Sequence, residues 1–290
     1  TGMGLLVQDG KLAWDDPVTK YLPTFQLYDS HATQLLTIRD LLCHRSGIGS
    51  DSGEVLVYSS YPTDEVVRRL RYIPPEYSFR SGFGYSSLMF TTAGLIISTV
   101  SGMSWDDFIR QRIFEPIGMT NSVTNSRYFT DQSNIAIPHE EIKGNLRAVT
   151  YRQDARLEAI ASVCTSVSDI AFWLRLQLNG GCINEKKIVE PSIIRETYTP
   201  HNPIKISTFD RQLYPSRHFS AYGLGWFLSD LYGRFIVRHW GNVDGMLCNM
   251  VMIPEEKIGI AIFTNKKPHN AFHAIPSFII DKLLGIQPRD

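Results

Sequence analysis

The sequence predicts an α+β fold: a run of helices, then an antiparallel sheet, then a closing helix. Two observations carry that expectation. Apolar-periodic segments between Thr37 and Asn179 open with a serine or threonine placed three residues before an aspartate. From Tyr222 onward, β-branched and aromatic runs alternate with turn residues at hairpin spacing.

Each element has its own signal. Thr37-Ile38-Arg39-Asp40 reads as an N-cap with an acid in the first turn, opening a short helix through Leu41, Leu42 and Cys43. Ser87 to Val100 is apolar and rich in small residues, as a buried helix is, and Ser101-Gly102 ends it. Ser104-Trp105-Asp106-Asp107 repeats the cap before Phe108, Ile109 and Ile113. Ser166-Val167-Ser168-Asp169 repeats it before Ile170, Phe172, Trp173, Leu174 and Leu176, and Asn179-Gly180-Gly181 stops that helix. Strands are expected over Tyr222 to Leu228, Phe235 to His239, Met246 to Ile253 and Ile258 to Phe263. Gly233, Gly245 and Pro254-Glu255-Glu256 punctuate them. A helix from Phe272 to Leu284 closes the chain. A four-stranded sheet has two edges, which leaves room for strands contributed from before Thr1.

The 290 residues suit one large domain or two interlocked lobes. The formal net charge is zero, which gives no basis for a nucleic-acid or anionic-membrane partner. No apolar run approaches the ~18 residues of a transmembrane helix. The segment Thr1-Gly2-Met3-Gly4-Leu5-Leu6-Val7 is short, uncharged and followed by Gln8-Asp9, so it does not read as a signal peptide, and the compartment is not legible. Cys43, Cys164, Cys182 and Cys248 are scattered without a CxxC spacing and read as free, mostly buried thiols. No metal or cofactor motif is expected. His139-Glu140-Glu141 does not continue into a second histidine, and there is no glycine-rich phosphate loop.

A nucleophile with a built-in base is absent. No G-x-S-x-G occurs, and no serine has a lysine three residues on. The nearest approach is Ser192-Ile193-Ile194-Arg195, whose arginine does not release its proton to act as a base. These residues alone hold no complete catalytic constellation.

They do hold an ordered set of motifs. Gly10-Lys11-Leu12-Ala13-Trp14-Asp15-Asp16-Pro17-Val18 comes first, with Lys20-Tyr21-Leu22-Pro23. Leu41-Leu42-Cys43-His44-Arg45-Ser46-Gly47-Ile48 and Phe83-Gly84-Tyr85-Ser86-Ser87 follow. Tyr222-Gly223-Leu224-Gly225-Trp226, His239-Trp240-Gly241 and Phe263-Thr264-Asn265 complete the set. In this order they resemble the serine β-lactamase-like and penicillin-binding-protein-like hydrolases, with class C β-lactamases, family VIII esterases and D-aminopeptidases among the relatives. Each motif is weak alone, and their ordered set is strong.

The resemblance implies a β-lactamase/transpeptidase-like fold, with an antiparallel sheet flanked by helices and a mainly helical lobe. The helical lobe would run over about residues 15–215, and the sheet lobe over about 1–14 with 216–290. It also implies an acyl-enzyme serine hydrolase acting on a small ester, amide or D-amino-acid peptide. In that family an S-x-x-K opens a buried helix a few residues before the segment matching Thr1-Gly2-Met3. The nucleophilic serine, its lysine and a pair of strands are therefore not among residues 1–290; they are expected upstream in the same chain, in a separate N-terminal segment, or nowhere. Without them, exposed apolar surface is expected to drive association or aggregation.

The resemblance also assigns roles. Tyr85 would be the general base; a free tyrosine has a pKa of about 10, and nearby cations would lower it. Ser87 stands where the family has asparagine. It is shorter and offers one donor, which disfavours a lactam or peptide and tolerates an ester. Ser87 also reads as a helix N-cap, and the two roles are compatible. His239 shares a strand face with Phe235 and Val237 and stands where many relatives have lysine. Its titration near pH 6.5 would give the enzyme an acid limb around pH 6 to 7. Gly241 would let a substrate approach the backbone, and the Asn242 N–H would form half an oxyanion hole. Trp240, Trp226, Phe83 and Tyr222 read either as an acyl pocket or as core, and His44 as structural. A non-catalytic scaffold or binding protein that keeps the cleft is the other reading of the same residues.

Overall fold

The computed structural model describes residues 1–129, 134–151, 157–267 and 270–286. The serine and threonine caps act as their spacing predicts. Thr37 Oγ1 accepts from the Asp40 N–H at 3.2 Å, and the Asp40 carboxylate accepts from the Thr37 N–H at 2.9 Å. This box opens the helix Ile38–Leu42. Ser104 and Ser166 accept from the N–H groups of Asp107 and Asp169, each at 3.1 Å. They open the helices Trp105–Ile109 and Val167–Leu178. Each cap satisfies a donor that a helix start leaves unpaired, a contribution of about 1 kcal/mol.

The helix Ser87–Ser101 is the hub of the helical layer. It ends at Gly102, whose φ of 72° favours glycine. Leu88, Met89 and Ile96 on it are fully buried. The helices Gly2–Gln8, Ile38–Leu42, Thr63–Arg68 and Trp105–Ile109 pack against it. Residues 1–14 were expected with the sheet. Instead Met3, Leu5, Leu6 and Leu12 join the helical core, and Gly2–Gln8 also packs on Pro191–Thr197. Its glycines allow this close approach. A Cβ at Gly4 would lie 2.3 Å from Ile193, and one at Gly2 3.0 Å from Ile97.

The strands, in chain order, are β1 (His139–Ile142), β2 (Asn145–Ala148), β3 (Cys182–Ile183), β4 (Lys186–Lys187), β5 (Asn202–Pro203), β6 (Ser220–Tyr222), β7 (Phe227–Leu231), β8 (Arg234–Val243), β9 (Met246–Ile253), β10 (Ile258–Thr264) and β11 (Lys266–Lys267). The main sheet is antiparallel with order β10-β9-β8-β7-β6-β5. It therefore has two more strands than the four expected. The Tyr222 to Leu228 run is two strands, broken at the turn that contains Gly225, where φ is 95°. β8 continues past His239 to Val243.

Both faces of the sheet are covered. Leu228, Val237 and Met252 pack with Leu174 of the helix Val167–Leu178. Ile236, Val251, Ile253 and Ile260 pack with Ile280 of the helix Ala271–Leu283. A smaller sheet joins the β1–β2 hairpin to β11 in the order β11-β1-β2. Asn265 anchors it: its carbonyl accepts from the His139 N–H at 3.0 Å, and its side-chain amide donates to the Ile137 carbonyl at 2.8 Å. No single helix among the described residues is long and apolar enough to cross a membrane. The four cysteines are free thiols.

Candidate functional site

The segment after the Ile38–Leu42 helix is fixed by a buried carboxylate. Asp40 has no exposed surface and is held by Arg45 and Arg80, the latter at 2.7 Å. Burial raises its pKa, but Arg80, the Thr37 N–H and Arg45 outweigh burial and hold it below the usual carboxylate range. The Asn202 amide on β5 reaches the carbonyls of Cys43, His44 and Gly82 at 2.9, 3.2 and 3.1 Å. Two stretches of chain are thereby clamped together. Gly84 permits the close approach, because a Cβ there would lie 2.1 Å from the Ile48 carbonyl oxygen.

His44 sits at the centre of this clamp, fully buried and at a φ of 57°. Its Nδ1 accepts from the Ser86 N–H at 3.1 Å, so the proton resides on Nε2. Nε2 has no hydrogen-bond partner among the described residues. The ring is enclosed by Tyr85, Tyr222, Phe90 and Phe83, at centroid distances of 4.5, 4.8, 5.1 and 5.8 Å. Burial, and secondarily His239, press its pKa down to about 3. His44 is thus a neutral packing group.

Tyr85 and His239 come together across an aromatic wall, with ring centres 6.1 Å apart. Phe227 stacks on Tyr85 at 6.3 Å and on Trp240 at 4.4 Å. The Tyr222 hydroxyl donates to His239 Nε2 at 3.0 Å, and His239 Nδ1 donates to its neighbour's carbonyl, Trp240 O, at 2.8 Å. Both ring nitrogens are engaged, so the imidazole is fixed as the neutral Nδ1–H tautomer. Burial lowers its pKa to about 4. The titration expected at pH 6 to 7 from an unperturbed histidine is therefore displaced toward pH 4.

Burial raises the Tyr85 pKa to about 12, and the carboxylates of Glu54 and Asp51 add to the rise. Among the described residues, the charges that shift it are of the opposite sign to those the resemblance implies. Glu54 also corrects the expected cap. Ser86 occupies the cap position of the Ser87–Ser101 helix without a side-chain bond, and Ser87 is the first helical residue. The Ser87 N–H donates to Glu54 Oε1 at 2.8 Å, so a carboxylate from the short 3-10 turn Glu54–Leu56 caps this helix. Glu54 carried no local sequence signal for that role.

Pairing between β7 and β8 stops at Phe227 and Arg238, so His239, Trp240, Gly241 and Asn242 pair with β9 only. Their other edge is not laddered to β7, and Asn242 is exposed. Gly241 has an internal reason to be glycine: a Cβ there would lie 2.7 Å from Cys248 Sγ. Gly241→Ala is expected to cost about 1–3 kcal/mol of stability in chemical denaturation through this overlap. Most of that cost should vanish when Cys248→Ala is added. A cost unchanged by the second substitution would remove Cys248 as the reason. A cavity of about 570 Å³ lies elsewhere, between Leu27, Tyr28, Tyr77 and Phe79, and contains none of the expected site residues.

Comparison with known proteins bears on the family and the fold. A sequence model of the beta-lactamase family matches residues 1–283. The unguisins hydrolase ungD' of Aspergillus campestris is 26% identical over 99% of this chain and 54% of its own. Protein flp of Staphylococcus aureus is 25% identical over 91% of this chain and 50% of its own. The chain spans about half the length of these curated relatives. The octameric penicillin-binding protein homologue from Pyrococcus abyssi superposes with a TM-score of 0.83 at 25% identity, covering 99% of this chain and 64% of that one. With the motifs in family order and the fold they imply, the chain belongs to the beta-lactamase family.

Proposed function

We propose that these residues form the body of a serine hydrolase that cleaves small esters, amides or D-amino-acid peptides through an acyl-enzyme. The observation that carries this reading is the meeting of Tyr85 with His239 against the Phe227–Trp240 wall, beside a strand edge free of β7. A relative named as a hydrolase supports the reaction class.

The nucleophilic serine and its lysine would come from outside residues 1–290, because no serine within them is followed three residues on by lysine. Tyr85 passes the proton between that serine and the leaving group. Its pKa of about 12 requires a cation to bring it into range, which is the part assigned to the absent lysine. His239 holds Tyr222 and stays neutral. The substrate lies along Trp240, Gly241 and Asn242, with the Asn242 N–H facing its carbonyl oxygen and Ser87 facing its leaving side. The carboxylates beside Tyr85 favour the second reading, a binding protein that keeps the cleft without the chemistry.

The two readings part on turnover. In the full-length protein, kcat/KM for p-nitrophenyl acetate should exceed that for nitrocefin, because Ser87 does not span to a lactam amide. Ser87→Asn should narrow the gap by about tenfold, the worth of one hydrogen bond. Comparable turnover of both substrates would contradict the role of Ser87, and turnover of neither would favour the binding protein.

A further inference from the structure

The sheet face beneath the helix Ala271–Leu283 holds buried donors with no acceptor. The register pairs Phe227 with Arg238 and Ser229 with Ile236, so Ser229 and Arg238 are diagonal neighbours on that face. Tyr214 packs on the same face, beside Leu231 and Ile236. The Arg217 guanidinium lies over the Tyr214 ring, with its carbon 4.2 Å from the ring centre. Arg217 is only 7% exposed. Arg217 Nε, Arg238 Nε and Ser229 Oγ are all buried without a hydrogen-bond partner among the described residues. Three orphaned polar groups in one place are unusual, because burying a donor without an acceptor costs free energy.

The charge is unbalanced as well. Asp210 is the carboxylate nearest to Arg217, with Oδ1 3.5 Å from Nη1, and it is 40% exposed. Its other oxygen accepts from the Ser207 hydroxyl at 2.7 Å. Asp230 is occupied by the N–H groups of His218 and Phe219 and by the His218 ring. Two buried guanidinium groups thus share one loosely held carboxylate. Burial and, after it, the neighbouring Arg217 disfavour the charge on Arg238; Tyr214, to which Arg238 hydrogen-bonds, and Asp210 favour it without outweighing burial.

We infer that Arg217, Arg238 and Ser229 form a binding site for a small oxyanion, a carboxylate or phosphate group with at least two acceptor oxygens. Guanidinium forks suit such groups because they donate two parallel N–H bonds. The site adjoins the wall of the proposed cleft: Arg238 projects from the face of β8 opposite to His239, but it shares that face with Trp240 and with Phe227, its partner in register. The Arg238 guanidinium carbon lies 5.6 Å from the centre of the Trp240 ring. An anion here ties the segment from Asp210 to Arg217 onto the strand that carries the site residues.

The test is thermal unfolding and titration calorimetry of the full-length protein with millimolar phosphate, sulfate or acetate, at ionic strength held constant with chloride. The expected result is a saturable, single-site rise in melting temperature that follows ligand linkage. Preference for phosphate over acetate assigns a tetrahedral anion, and the reverse assigns a carboxylate. Arg217→Gln should abolish the shift, and Ser229→Ala should weaken binding by about tenfold. Ser229→Ala removes only an unpartnered hydroxyl, so it should fold even if Arg217→Gln does not. Absence of a saturable shift with all three anions overturns the site. So does an affinity unchanged in Ser229→Ala together with a shift that survives in any folded Arg217→Gln protein.

Discussion

Replacing Tyr85 by phenylalanine is expected to lower kcat/KM of the full-length protein toward a short ester by about 10²–10⁴-fold, the usual worth of a positioned proton carrier. The fold should hardly notice. The Tyr85 hydroxyl takes part in none of the hydrogen bonds among the described residues, while the ring, which phenylalanine keeps, packs on His44 and Phe227. Loss of activity with an unchanged melting temperature separates a chemical role from a packing one. Activity retained within a few-fold would remove Tyr85 from the reaction.

The second large effect is on acid stability, and it comes from His44. Its pKa falls from 6.5 to about 3 on folding, chiefly by burial. An unfolded chain takes up a proton near pH 6.5, and the folded one does not until about pH 3. Between those values the unfolded state binds more protons, so stability falls as pH falls, by about 1.4 kcal/mol per pH unit for one such group. His239 acts in the same direction from 6.5 down to about 4. His44→Asn should remove the first contribution. Asparagine tolerates the positive φ, and its carbonyl can accept from the Ser86 N–H. The variant is expected to be less stable at neutral pH yet to show a shallower loss on acidification. The readout is the slope of unfolding free energy against pH between 6.5 and 4. A slope equal to that of the wild type would mean that His44 is already accessible to protons in the folded state.

Much of the architecture was legible because its causes are local. A serine or threonine three residues before an aspartate names the start of a helix whatever the rest of the chain does, and three such helices form where expected. β9 and β10 are long enough for their apolar residues to speak for themselves. β5 and β11 have two residues each and show no periodicity, and the β1–β2 hairpin is largely polar. Only the partners they find in three dimensions make them strands. The place of Gly2–Gln8 was hidden for a similar reason, because its glycines are explained by Ile97 and Ile193 far along the chain.

The site divides in the same way. Tyr85 and His239 were marked by the order of motifs, and the fold brings them within ring contact. Their chemistry was not legible. Only burial reveals that His239 titrates near pH 4, and only the fold brings Glu54 and Asp51, more than 30 residues earlier in the chain, beside Tyr85. Gly241 looked like a concession to substrate, and Cys248 gives it a second reason. The unpartnered donors of Arg217, Arg238 and Ser229 come from the connection before β6 and from two strands, β8 and β7, and have no shared motif.

Where the nucleophile lies decides the functional reading most directly. A fluorophosphonate probe applied to the full-length protein, followed by peptide mass spectrometry, locates the serine that becomes covalently modified. The serine-hydrolase reading predicts label on a serine outside residues 1–290 with a lysine three residues on, and no label on Ser87 or any other serine within them. A labelled serine inside residues 1–290 would contradict it.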